Sequence, residues 1–352
     1  MKPIYRLINN SINLKPLILV VALSGVWCQK ASLQVATYFD SNVDEALTET
    51  VPTVGFKLRG NLNHRIITQD WQIDGNILTQ TYLDAILPTQ SKLVVNSGLG
   101  LRYFFTPALQ AVGGLNHFQK AFYDQGPSYR WTDYALNMRH RPADKLSIGA
   151  GWSHRTTNYT SLDSIKFLGR LVELRIGYHL TQNWLLEGLV RNRKTTFRDY
   201  PAQGVLNDTT LVQLGRSQRD DARSVQFHTR YQGKMIVGAS LRYEQVTSNS
   251  VTGGFNLLNG RAYLSCRLGK TTMLHFIIQR VDKNYRRGDL SGVTAYRDPE
   301  ERIQNRTYLQ LERQLKPSVI GYLQMSHLAN ETLVNQRYYN KTMLELGIKF
   351  KL

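Results

Sequence analysis

Basic side chains recur at every second position in runs that are otherwise apolar. Lys57, Arg59, Arg102, Arg139, Arg155, Arg175, Arg191, Arg193, Arg230, Arg242, Arg261 and Arg267 follow this spacing, and Lys349 and Lys351 repeat it at the C-terminus. Glu173, Glu187, Glu244, Glu312 and Glu345 occupy the same alternate positions. The planar guanidinium fork suits carboxylate, sulfate and phosphate. A wall lined by one sign of charge focuses the field and concentrates counter-ions. Two readings stay open for any one arginine: contact with an anionic solute, or an ion pair with one of the glutamates that bridges neighbouring strands.

No residue set suits covalent or metal chemistry. A nucleophile needs a base held by a third group. Ser153 and His154 are sequence neighbours, so on a strand they face opposite ways. His275 and His327 read as isolated, and Asp220-Asp221 falls in an expected loop, where adjacent carboxylates are solvated rather than metal-bound. Cys28 and Cys266 are the two cysteines, in no metal-ligand spacing. The sequence therefore predicts no enzyme, no cofactor and no metal site.

The elements that carry these charges follow from the period. Leu344, Leu346, Ile348, Phe350 and Leu352 alternate with Glu345, Gly347, Lys349 and Lys351. Val172, Leu174, Ile176 and Tyr178 alternate with Glu173, Arg175, Gly177 and His179, and Val237 to Glu244 repeats the design. A period of two with one oily face is a strand, whereas a helix would put charge on every side. Trp152, Trp184, Tyr103, Tyr231 and Tyr243 fall on the oily face near strand ends, the place of an interfacial girdle. Tyr38, Tyr263 and Tyr322 fall on the polar face, where a ring can stack on a sugar.

Short polar turns are expected at Thr106-Pro107-Ala108, Arg141-Pro142-Ala143-Asp144, Thr181-Gln182-Asn183, Gln232-Gly233-Lys234, Gly269-Lys270-Thr271 and Lys316-Pro317-Ser318, with a looser one within His64 to Asp70. Longer connections separate them, among them Thr196 to Arg223, which could fold inward or stay outside, and Asn284 to Arg302. Seven hairpins flanked by a first and a last strand predict an all-β, transmembrane, antiparallel up-and-down barrel of about sixteen strands, or fourteen without the His64 turn.

The chain opens with a leader. Lys2, Arg6 and Lys15 precede the apolar run Pro16 to Trp27, too short for a bilayer span of roughly 20 residues. This reads as a secretory signal over residues 1–28, with a cleavage point that could lie as far on as residue 31. Trp27 before Cys28 argues against lipidation. Residues 32–352 then form one barrel domain. Of 352 residues, 44 are Lys or Arg and 26 are Asp or Glu, a formal charge of +18. In an exported barrel that excess points away from nucleic acid, towards an anionic passenger or a polyanionic outer surface.

The C-terminal Glu345-Leu346-Gly347-Ile348-Lys349-Phe350-Lys351-Leu352 resembles the β-signal of bacterial outer-membrane barrels, with Glu345, Gly347, Phe350 and Leu352 in the matching places and Leu352 where an aromatic is usual. The resemblance implies recognition by the barrel assembly machinery. Thr37-Tyr38-Phe39-Asp40-Ser41-Asn42-Val43 resembles the opening of porin-like barrels from exopolysaccharide operons, and Ser248-Asn249-Ser250, at an expected strand-to-loop exit, is similar to that group. That resemblance implies a channel in the outer membrane that passes or exports an anionic solute or acidic exopolysaccharide. The partners it implies are outer-membrane lipid and lipopolysaccharide, the passenger, and a periplasmic export protein. A structural or adhesion barrel acting through its extracellular loops, without transport, is the alternative.

Overall fold

The computed structural model describes residues 30–41, 52–123, 128–159, 166–206, 210–251, 253–285, 305–330 and 339–352. The expected leader lies outside the described residues, as does most of the connection Asn284 to Arg302.

Sixteen strands close into one antiparallel barrel, each paired with its sequence neighbours. The first eight are β1 (Lys30–Asp40), β2 (Thr53–Ile67), β3 (Trp71–Asp84), β4 (Lys92–Phe104), β5 (Leu109–Phe122), β6 (Tyr129–Ala143), β7 (Leu146–Tyr159) and β8 (Lys166–Thr181). The second eight are β9 (Trp184–Leu206), β10 (Thr210–Gln232), β11 (Met235–Ser248), β12 (Phe255–Leu268), β13 (Thr272–Tyr285), β14 (Asn305–Lys316), β15 (Val319–Asn330) and β16 (Tyr339–Lys351). The register from Ser32↔Lys351 to Asp40↔Met343 joins β1 to β16 and closes the ring. Sixteen is the observed count, and the His64 to Asp70 turn that decided it is present, tightened to Thr68–Asp70. The first strand starts at Lys30, ahead of the expected domain start at residue 32.

All seven short turns lie at one end with the start of β1 and the end of β16, the periplasmic end by the usual arrangement of bacterial barrels. The β12–β13 turn uses Gly269 at φ 84°, a left-handed conformation that costs a residue with a Cβ about 1–2 kcal/mol. Pro142 and Pro317 sit where the ladder shifts register, between His140 and Ala143 and just beyond the Gln314/Lys316 shift, so neither prolyl nitrogen interrupts a regular pair.

Alternation sorts the side chains. On β8, Val172, Leu174, Ile176 and Tyr178 are exposed while Phe167 is buried. On β1, Val35 and Phe39 are exposed while Ala36, Tyr38 and Asp40 are buried. The exposed face is the lipid-facing wall, and the buried face lines the lumen. Trp71, Tyr103, Tyr178, Trp184 and Tyr231 ring the outer wall next to the short turns, the level of an interfacial aromatic girdle.

The segment Thr196 to Arg223, expected as a loop, is mostly strand. β9 and β10 run 23 residues each and remain paired up to Leu206↔Thr210, with register shifts near Ser217. A tilted strand crosses the membrane in about 9–11 residues. Roughly a dozen residues per strand therefore continue past the lipid, about 40 Å of projecting hairpin before tilt.

Candidate functional site: the basic lumen

Register places every basic residue singled out above on the lumen-facing set. Lys57 and Arg59 share parity with buried Thr53, and Arg155 pairs with Asp133 across β6 and β7. Arg191 and Arg193 share parity with buried Phe197, and Arg242 shares it with buried Glu244. Arg261 and Arg267 share parity with Leu257 on β12, and Lys349 and Lys351 with Glu345 on β16.

These cations divide into two groups. The first is tied into ion pairs around mid-height. Lys57 Nζ lies 2.8 Å from Glu345 Oε2, with Tyr322 Oη donating to the other carboxylate oxygen at 2.5 Å and Gln34 Nε2 at 3.2 Å. Arg155 meets Asp133 at 3.1 Å. Glu173 takes both Arg175 and Arg191, each at 3.2 Å, and Arg175 also reaches Glu187 at 3.8 Å. Glu244 takes Arg193 at 3.1 Å and also pairs with Arg242. Two of these pairs stitch strands that are not neighbours: Lys57 on β2 meets Glu345 on β16, and Glu244 on β11 holds Arg193 on β9 past the small Ser224 of β10.

The second group is Arg59, Arg102, Arg139, Arg230, Arg261 and Arg267. Among the described residues none of them has a carboxylate within ion-pair distance; Arg139 Nη2 donates to Ser147 Oγ at 3.3 Å. Arg102, Arg139, Arg230 and Arg267 sit within a few residues of the short turns, so they face the periplasmic mouth. Arg139 is in electrostatic reach of Arg102, Arg141 and Arg175, against a single nearby carboxylate, Glu187.

The three tyrosines expected on the polar face, Tyr38, Tyr263 and Tyr322, have a structural use. Tyr38 pairs in register with Gly55, Tyr322 with Gly347 and Tyr263 with Gly238. In each case the ring lies over the glycine: a Cβ on Gly347 would stand 2.5 Å from Tyr322 Oη, and one on Gly55 2.7 Å from the Tyr38 ring. Tyr38 and Tyr322 are buried and their hydroxyls are committed, to Asp84 and Glu345.

A larger aromatic array escapes sequence reading. Phe118, Trp131, Tyr129, Tyr159, Phe167 and Phe197 form a ring-to-ring ladder inside β5 to β9, with successive centroids 5.4–6.5 Å apart. Arg155 stacks on Trp131 at 4.3 Å. Tyr129, Trp131, Phe167 and Phe197 are buried, so the ladder packs the wall. One or two aromatics on each of five successive strands, towards the end away from the short turns, are the signal it leaves in the sequence.

The upper rim is tied by Lys341–Asp40 at 2.8 Å, and Asn249 of the Ser248-Asn249-Ser250 step accepts from Arg219 N and donates to Ser217 O. Two histidines are less isolated than expected. His275 Nδ1 lies 2.9 Å from Ser265 Oγ and His327 Nδ1 3.0 Å from Thr342 Oγ1, each across a strand pair. Among the described residues no carboxylate contacts His275, so the Ser265–His275 contact lacks the third group that orients a catalytic base. Ser153 and His154 face opposite ways, as strand geometry requires.

No family model matches the chain, and no curated protein matches it. Among solved structures it is similar to OmpF of Salmonella typhi, determined with daunomycin, at 12% identity over 92% of this chain and 97% of that chain, TM-score 0.54. The fold is that of an outer-membrane barrel. Similar at lower scores are the trimer form of OmpT of Vibrio cholerae (11% identity, 92% and 98% covered, TM-score 0.49) and a bacterial polysaccharide outer membrane secretin (10%, 92% and 98%, 0.45).

Proposed function

We propose that the chain is an outer-membrane channel whose basic lumen passes anionic solutes, with acidic exopolysaccharide as the largest passenger in that class. The observation that carries this reading is the division of the lumenal cations. Lys57, Arg155, Arg175, Arg191, Arg193 and Arg242 are paired with carboxylates, while Arg102, Arg139, Arg230 and Arg267 stand near the periplasmic mouth with no carboxylate in ion-pair distance among the described residues. Guanidinium groups without ion-pair partners raise the local concentration of anions at the entrance. They also offer forked donors to carboxylate and sulfate. On this reading Glu345, Gly347, Phe350 and Leu352 are presented to the assembly machinery before the strand closes the ring, and the leader delivers the chain for export.

The test is single-channel recording of the refolded mature protein in a planar bilayer, with acidic and neutral oligosaccharides added as blockers. Anion-selective steps blocked by the acidic sugar support the proposal. A correctly folded barrel that never conducts favours the second reading, a structural barrel working through its surface, for which the projecting β9–β10 hairpin is the specific feature.

A further inference from the structure

The outer wall carries a second basic feature, separate from the lumen. On β8, β9 and β10 the lipid-facing series turns from mostly apolar to mostly polar and basic above Val172, Val190 and Val225. The outward positions beyond them are Arg170, Leu168 and Lys166 on β8, Asn192, Lys194, Thr196 and Arg198 on β9, and Arg223, Asp221 and Arg219 on β10, with Asp221 beside Lys194 in register. None of these six cations has an ion-pair partner among the described residues.

Beside this row, over β6 to β9, the wall opens into a cleft of about 380 Å³. Arg130, Lys166 and Arg198 stand around it, all exposed, with Thr132, Thr156 and Asn158 between them. Register puts all six on the lipid-facing parity: Arg130 pairs with Asn158, Thr132 with Thr156 and Asn158 with Lys166. Asn158 Oδ1 is buried and makes no hydrogen bond to the described residues. Immediately below lie Tyr134, Leu136, Trp152, Val172 and Leu174, all exposed and apolar.

A cleft ringed by cations, with His117, Trp131, Phe167 and Leu168 also in its wall, at the end of the barrel away from the short turns, meets the headgroup layer of the outer leaflet. Its chemistry is specific. Three cations surround a space large enough for a phosphate and a sugar, the Thr156 hydroxyl lies between them beside Thr132, which is bonded to His117, and an oily wall below can receive acyl chains. Charge-assisted hydrogen bonds to phosphate are about twice as strong as neutral ones. We infer that this cleft holds the phosphorylated sugar headgroup of an outer-leaflet glycolipid, with its acyl chains laid over β6 to β8.

The experiment is native mass spectrometry of the full mature barrel in detergent, titrated with bis-phosphoryl lipid A, with its dephosphorylated form, and with inorganic phosphate as competitor. The inference expects a stoichiometric lipid A adduct, roughly tenfold or more weaker for the R130Q/K166Q/R198Q variant, and equally weakened for the dephosphorylated lipid. Adducts undiminished in the variant overturn it, as does displacement by inorganic phosphate at concentrations equal to the lipid, which would mark a free-anion site. Trypsin resistance and heat-dependent gel mobility report folding. The single variant K166Q, on an exposed strand end, repeats the comparison should the triple variant not fold.

Discussion

Lys57 and Glu345 lie 288 residues apart in the chain and meet at 2.8 Å, both buried in the lumen wall. They stand on β2 and β16, so their ion pair reaches over β1 and clasps the seam where the barrel closes. Tyr322 on β15 and Gln34 on β1 hydrogen-bond to the same carboxylate. One side chain thus ties four consecutive strands around the closure. Glu345 also occupies the polar place of the C-terminal β-signal, so the residue that resembles an assembly tag has a second use once the ring has formed.

Removing one member of a buried pair leaves the other charge uncompensated, at a cost of about 3–5 kcal/mol, whereas replacing both by apolar groups is far milder. Glu345→Gln is expected to lower the denaturation midpoint in detergent well below that of the double variant Lys57→Met/Glu345→Leu. Urea-gradient tryptophan fluorescence measures both. Equal destabilisation would remove the clasp from the account.

Gly347 is where Tyr322 rests. Gly347→Ala places a methyl group 2.5 Å from the phenol oxygen, so the ring must move and its bond to Glu345 is lost. The expected loss is about 1–3 kcal/mol. Tyr322→Phe keeps the ring in place and gives up only the hydrogen bond, about 1 kcal/mol. Thermal gel-shift midpoints should rank wild type above Tyr322→Phe, and Tyr322→Phe above Gly347→Ala.

The barrel was legible because its period is two. Each residue on the membrane-crossing part of a strand sees either lipid or lumen, so the faces of Val172 to His179 or Leu344 to Leu352 can be read without knowing the neighbours. The same physics explains the misread loop. Above the membrane both faces of a strand are wet, so Arg198, Arg219, Asp220 and Asp221 show no oily alternation, and β9 and β10 vanish from the pattern although their pairing continues. The site was half legible. That Arg191 and Arg102 face inward follows from parity; that Glu173 binds Arg191 while Arg102 has no such partner depends on register between strands, which one chain of letters does not display. The Tyr–Gly pairs and the ladder from Phe118 to Phe197 were hidden for the same reason.

Gly269 is a backbone requirement independent of any side chain. Its φ of 84° at the β12–β13 turn makes Gly269→Ala about 1–2 kcal/mol less stable. Gly188, at an open position in β9, tolerates alanine without that strain. Comparing the two variants by the same thermal gel shift checks that the turn, and not glycine content in general, is responsible.

The central claim is that the unpaired arginines at the periplasmic mouth select anions. Its most direct test is the zero-current potential across a planar bilayer under a potassium chloride gradient, for wild type and for the variant R102Q/R139Q/R230Q/R267Q. The account predicts an anion-selective potential for wild type that moves towards zero in the variant, with the barrel still folded and conducting. A cation-selective wild type, or a potential that four neutralised arginines leave unchanged, would contradict it.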